Sequence, residues 1–426
     1  MKNKYEKYRT VIIGAGAAGL YCASMLKEAA APVLILEKNK QPGRKLLMAG
    51  GGQCNLTHGG SIKDFISHYG DNGRLIRGVL QRHSNMQLAE FLEKLGVNTI
   101  MRDDGKVFPA SMDGRDVLTA LIREISNRKI HLKCEKGVTD VKKCRDGSGF
   151  RVETGDEVFQ CENIVVATGG CSYPSTGSDG SMLRILRDGM CIDVKTPRPA
   201  LTPVFVKDYR YGSLSGISFR NIGVTIHAQQ SSESDSSAAV RKVSGDLLFT
   251  ERNLSGPVIL NSSRYMTAGD TLCINYLYPA SGSELVARFR ADFPGNGKSP
   301  RTYMSDELGL PKRFSALIEE NLGIKGRKVS QLSGGDMARM AEALTAGKMI
   351  IEELSGFREA MVTAGGVSLD EISRKTMESI RYKGMYIIGE ALNVDGDTGG
   401  YNLQFAYSSA ASAAEALNNS LCSSTA

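Results

Sequence analysis

The segment Gly14, Ala15, Gly16, Ala17, Ala18, Gly19 limits what this chain can fold into more than any other part of the sequence. An apolar run at residues 11–13 precedes it, an Ala-rich helical stretch follows, and a second apolar run at 33–37 comes next. Strand, glycine turn, helix and strand in that order form the first βαβ unit of a doubly wound parallel sheet. There the first glycine permits the tight turn, the second lets backbone approach a pyrophosphate, and the third allows close helix packing. The helix N-terminus adds positive dipole for the phosphates. Glu37 ends the second strand about 20 residues beyond the turn, where a carboxylate accepts hydrogen bonds from a ribose diol and opposes a 2′-phosphate.

Residues 163–170 (NIVVATGG) read as a buried strand ending on glycines, so Thr168, Gly169 and Gly170 predict a second approach of backbone to the same ligand. Residues 84–97 carry helical spacing with Ser84 as N-cap. From about residue 195 the texture changes to prolines, alternating stretches such as NIGVTIHA, and the polar loop SSESDSSAA. Residues 305–352 then read as largely helical. The final segment returns to the opening texture: strand GMYIIGEA, turn NVDGDTGGYN, and a small-residue helix. The expected organisation is 1–195 as the first part of a nucleotide-binding domain, 196–355 as an insertion, and 356–426 as the domain's return.

Composition narrows the function classes. The formal charge of +7 arises from 53 basic and 46 acidic residues with no basic run bearing aromatics, so no nucleic-acid partner is expected, while an anionic substrate is mildly favoured. Nine scattered cysteines, without a CxxC pair and with only five histidines, predict no metal site and fit a reducing cytoplasm. No stretch approaches the roughly 18 apolar residues of a membrane span. The LSGGD segment at 332–336 lacks any accompanying GxxxxGK[ST] and reads as a helix connection.

The segments GRKLLMAGGGQCN, ATGGCSYPSTGSDG, TERNLSGPVIL, VTAGGVS, TMESI and GEALNVDGDTGGYNLQFAYSS occur in that order. Together they resemble the YhiN/BaiN-type flavoproteins, also described as the aminoacetone-oxidase family of FAD-binding enzymes. The resemblance covers nearly the whole chain. It implies an α/β, Rossmann-like two-dinucleotide-binding-domain flavoprotein with an inserted β-rich plus helical substrate domain. By that resemblance Gly14, Gly16, Ala17, Ala18, Gly19, Glu37, Lys38, Arg44 and Lys45 contact the ADP half of FAD, with Val138 beside the adenine. Gly52, Cys54 and Asn55 lie near the ribityl chain or ring, and Thr168, Gly169 and Gly170 form the second crossing. Gly389, Glu390, Asp397, Gly399, Gly400, Tyr401, Asn402 and Leu403 close the flavin site. Two positions depart from the family pattern: Gln53 replaces an arginine, and Phe405 a frequent tryptophan.

The isoalloxazine performs the electron transfer, so the protein must place a substrate carbon and supply a proton donor or acceptor. With one GxGxxG, NADH or NADPH is expected to dock only transiently as reductant. The leading expectation is reduction of an activated C=C bond, such as that of a 3-oxo-4-ene or 4,6-diene bile acid, an apolar small molecule with one carboxylate. An amine oxidase acting on aminoacetone and a non-enzymatic FAD-binding regulator are the alternatives. Tyr173 and Tyr401 are the candidate proton donors, and Cys54 and Cys171 the thiols nearest the expected flavin.

Overall fold

A computed structural model describes residues 6–27, 31–229 and 240–422, so the polar loop at 231–239 lies outside the described residues. The chain divides into two compact units, 1–200 with 357–426, and 201–356. The texture changes that suggested boundaries at 195 and 355 lie beside these divisions.

The first unit is built on a seven-stranded sheet. Glu6–Ile13 runs parallel to Val33–Leu36 on one side and to Val158–Val166 on the other, and His131–Lys133 extends the sheet beyond Val33–Leu36. These strands read as continuous apolar runs because a parallel sheet is covered on both faces; Val11, Ile12, Leu34, Ile35, Val165 and Val166 are fully buried. Val158–Val166 serves two neighbours along its remaining edge. Its first half pairs antiparallel with Phe150–Thr154, and residues 164–166 pair parallel with Met385–Ile387. The chain's return thus rejoins the opening sheet, and the closing helix, Tyr401–Cys422, packs on the first helix, Ala17–Met25. Ser84 precedes the helix Asn85–Lys94, and its N–H donates to Gln87 Oε1 at 2.8 Å.

The second unit is a closed barrel of six strands, with Ser218–His227 paired to Val240–Phe249 and to Thr271–Asn275. Its apolar core gathers Phe249, Phe289, Phe293, Phe314 and Tyr303 from barrel and helices. The stretch expected to be helical to residue 352 ends earlier: after the helix Gly334–Thr345 the chain enters the barrel strand Gly347–Leu354. The alternation in residues 347–354 is that of a half-buried strand, which the preceding helices obscured.

The LSGGD segment caps the helix that follows it. Ser333 is the N-cap of Gly334–Thr345, and Asp336 accepts from the Ser333 N–H at 3.0 Å and hydroxyl at 2.8 Å, closing a capping box. Arg339 and Arg327 pair with the same buried carboxylate at 2.6 and 3.0 Å. The Ser333 contacts, followed by the arginines, hold Asp336 well below the usual carboxylate range. A carboxyl with a depressed folded pKa stabilises above its unfolded value and loses that contribution as pH falls. Asp336→Asn is therefore expected to cost about 1–2 kcal/mol at neutral pH. The difference should shrink below about pH 4, as urea melts across pH will show. A pH-independent difference would refute the electrostatic part.

Candidate flavin site

The three glycines of the opening turn have three different jobs. Gly14, at φ +103°, admits no side chain, because a Cβ would lie 2.6 Å from the Ala167 carbonyl oxygen at the end of Val158–Val166. A Cβ on Gly19 would collide with the Gly14 carbonyl. Gly16 faces open space: a Cβ there meets nothing within 4 Å, and φ is −79°. It is the N-cap of Ala17–Met25 and no side chain caps that end, so the first-turn N–H groups of Ala17, Ala18 and Gly19 are available to an anion.

Glu37 is 7% exposed and locked. Its Oε2 accepts from Ala15 N at 2.9 Å, and its Oε1 accepts from Asn39 N and Nδ2 at 2.9 and 2.7 Å. A carboxylate offers about four acceptor positions, so capacity for a ribose hydroxyl remains. Glu37→Ala is expected to weaken FAD binding by about 1–3 kcal/mol and to lower the melting temperature by orphaning the Ala15 N–H. Unchanged affinity in a fluorescence titration would remove Glu37 from the ribose.

The basic residues expected at the ADP half make contacts within the chain. Lys38 pairs with Asp179 at 2.7 Å, and Arg44 donates to Asn39 Oδ1 at 3.0 Å. Lys45 Nζ reaches both Glu390 Oε2 and Ser172 Oγ at 2.6 Å. Glu390 Oε1 accepts from Ser172 Oγ at 2.7 Å and from Thr363 N at 2.8 Å. This network borders the second glycine pair, since a Cβ on Gly169 would lie 2.8 Å from Ser178 Oγ and 4.0 Å from Glu390 Oε2. Beside it, the Thr168 and Ser178 hydroxyls are buried without a partner among the described residues. Buried hydroxyls are normally satisfied, and two orphans beside an uncapped helix fit a polar ligand such as a dinucleotide. Val138 is half-buried at the start of Val138–Lys143 and paired with Thr154.

At the expected ring end, Gly50, Gly51 and Gly52 all take positive φ, and Cys54 does so at 61°. Cys54 is fully buried, and burial pushes its thiol up to about 12, so it stays protonated and is no nucleophile. The Cys171 thiol is raised too, by burial and then by Glu390. With its amide oriented to suit its neighbours, Asn55 donates to Thr57 O at 3.0 Å and Val107 O at 3.3 Å. It also accepts from Gly400 N at 3.2 Å. Gly400 sits at φ +96°, and a Cβ would fall 2.5 Å from Thr57 O, so its glycine is required by contact within the chain. Gly389, whose N–H donates to Ser409 at 3.0 Å, presses on Ala18.

What remains for a ring edge is the start of the 22-residue closing helix, the N–H groups of Tyr401, Asn402 and Leu403. The Asn402 side chain is committed to the loop before it, accepting from Gly396 N at 2.8 Å and donating to Gly396 O at 2.9 Å. Gly399, at φ +120°, passes close to the Tyr401 ring.

The two candidate tyrosines differ sharply. Tyr401 is 4% exposed; its ring stacks on His68 at 4.1 Å between centroids and on His58 at 5.5 Å, while Phe65 and Tyr69 meet it edge-on. Burial first, then the carboxylates of Asp397 and Asp64, push its phenol up to about 12, and its hydroxyl has no hydrogen-bond partner among the described residues. Tyr173 is half-buried at φ 52° and anchored through its N–H to Phe357 O at 2.8 Å, without a ring contact among the described residues. His58 and His68 escaped the sequence reading, although five histidines in 426 residues made the THGG segment after Asn55 a usable signal.

Among the described residues no group of His, Cys, Asp and Glu could hold a metal, and no helix is long and apolar enough to cross a membrane. Residues 8–416 match the HI0933-like protein Rossmann domain. A ribosomal RNA dihydrouridine synthase of Escherichia coli is 29% identical over 97% of this chain and 98% of its own length. One of Haemophilus influenzae is 30% identical over 94% and 96%. A 3-dehydro-bile acid delta(4,6)-reductase of Clostridium scindens is 28% identical over 94% and 96%. Among solved structures, a 3-ketosteroid delta1-dehydrogenase from Sterolibacterium denitrificans shares the fold at a TM-score of 0.51 and 11% identity, covering 97% of this chain and 100% of that one.

Proposed function

The chain belongs to the HI0933-like family of FAD-dependent Rossmann-fold oxidoreductases, and on that premise we propose that it reduces a C=C bond conjugated to a carbonyl, with Tyr401 as proton donor. The observation that carries this reading is the caged Tyr401: a phenol held protonated by burial, fixed by surrounding rings, with a hydroxyl that no described residue uses. Bound FAD supplies hydride transfer to the β-carbon. The chain's own task is to hold the ligand by the open helix end at Gly16, fix the ribose at Glu37, and deliver a proton from Tyr401 to the α-carbon. Solvent then restores the phenol.

The three curated relatives act on two kinds of substrate, ribosomal RNA for two and a bile acid for the third, yet uracil C5=C6 and a bile-acid dienone share one feature, a C=C bond next to a carbonyl. We favour uridine in ribosomal RNA, supported by two relatives across nearly the full chain. This departs from the expectation of a small-molecule substrate and of no nucleic-acid partner. The bile-acid relative supports the second reading, a 3-oxo-4-ene or 4,6-diene acid.

Anaerobic stopped-flow tests both. NADPH or NADH should bleach the flavin, and colour should return on adding transcribed ribosomal RNA, with dihydrouridine detected by mass spectrometry. Return of colour only with a 3-oxo-4,6-diene bile acid selects the second reading. Bleaching by aminoacetone and not by nicotinamides would overturn both in favour of an oxidase.

A further inference from the structure

We propose that His68 and Asp397 form a positioning pair for Tyr401: the carboxylate fixes the imidazole, the imidazole fixes the phenol ring, and the ring so held presents its hydroxyl in one direction. This rests on the reading of Tyr401 as proton donor. His68 Nδ1 lies 3.0 Å from Asp397 Oδ2, and the Asp397 N–H donates back to the His68 carbonyl at 2.8 Å, so side chains and backbone join the two segments twice. The imidazole lies 14° from the plane of the Tyr401 ring. Asp397 precedes Tyr401 by one turn of chain, and Asn402 ties the intervening loop down at Gly396.

The other groups packed on Tyr401 are accounted for. His58 stacks at 12° to its ring and directs its two ring nitrogens at the carbonyl oxygens of Gly59 and Asp104, at 3.0 and 3.1 Å. Asp104 turns its own carboxylate to Lys106 at 2.7 Å. Tyr69 donates its hydroxyl to the Tyr401 carbonyl at 2.7 Å, which leaves the Tyr401 hydroxyl untouched. Asp397 and Asp64 are thus the charges that oppose a phenolate. A purely space-filling cage would not require the imidazole–carboxylate contact. Near-attack geometry in proton transfer depends on such orientation, and loss of it lowers turnover more than binding.

The test uses the FAD-loaded protein with ring-labelled tyrosine, the Tyr401 resonance being assigned through Tyr401→Phe. In His68→Ala, ring flipping of Tyr401 should accelerate several-fold to about tenfold, as a stacked partner is lost. With transcribed ribosomal RNA as acceptor, kcat should fall about tenfold or more while KM holds. Asp397→Asn keeps the shape but removes the charge, so the Tyr401 titration midpoint and the basic limb of the rate profile should both move down in pH. His68→Phe, which restores a stacked ring, should return slow flipping and serves if His68→Ala does not fold. Flip rates unchanged in His68→Ala, or a titration midpoint unmoved in Asp397→Asn, would overturn the pair, as would faster flipping without loss of kcat. If Tyr401→Phe itself turns over at the parental rate, the proton-donor reading fails. Flipping and titration are measured without turnover and still decide whether the pair holds the ring.

Discussion

Gly16→Val is expected to yield a protein that folds as well as its parent and binds FAD about a hundredfold more weakly, or not at all. The backbone there, at φ −79° and ψ −173°, is extended, which a β-branched residue adopts readily, and a Cβ meets nothing within 4 Å. The space it fills is the space a pyrophosphate needs at the open end of the first helix. A hundredfold corresponds to about 2.7 kcal/mol, a reasonable cost for pushing phosphate off several helix N–H groups. Gly14→Val is the contrasting control: its Cβ would strike the Ala167 carbonyl, so melting temperature and FAD affinity fall together. The pair separates a glycine needed by the ligand from one needed by the chain. Parental FAD affinity in a folded Gly16→Val protein would refute the pyrophosphate site.

Tyr401→Phe is expected to slow acceptor reduction by about 10²–10⁴-fold, the usual worth of a positioned general acid. The substitution removes one oxygen and keeps every ring contact, so FAD binding and bleaching by nicotinamide should persist. Tyr173→Phe should reoxidise near the parental rate, since among the described residues that ring lacks the stacked and edge-on partners that fix Tyr401. A reversed ranking of the two variants would move the proton donor to Tyr173.

Much of the nucleotide end was legible because its residues are bound by local rules. Gly14, Gly16 and Gly19 occur at fixed spacing after a strand, and Glu37 ends the next one, so short-range geometry implies their places. The return of Met385–Ile387 to the sheet could be read from texture, because strand, turn and small-residue helix repeat the opening order. The ring end was harder. Gly400 reads as part of the flavin site, and its N–H goes to Asn55 while its bare Cα faces Thr57, contacts spanning more than 340 residues. Lys45 is expected at the ADP half, and its pairing with Glu390, 345 residues away, could not be read from the sequence. His68 gave no signal at all, because its segment, Asp64–Asn72, has no motif and meets Tyr401 only in three dimensions.

The edge shared by Val158–Val166 has a consequence for how the molecule is made. Residues 164–166 wait for Met385–Ile387, and the sheet's covering helix is Tyr401–Cys422, so a ribosome must translate the whole barrel before the first unit can close. The barrel, contiguous from 201 to 356, needs no such delay. During that interval the nascent sheet exposes an apolar, hydrogen-bond-hungry edge, the kind of surface that chaperones bind and aggregates grow from. Expression yield should therefore respond to translation speed through the barrel-coding region more than to the barrel's own stability.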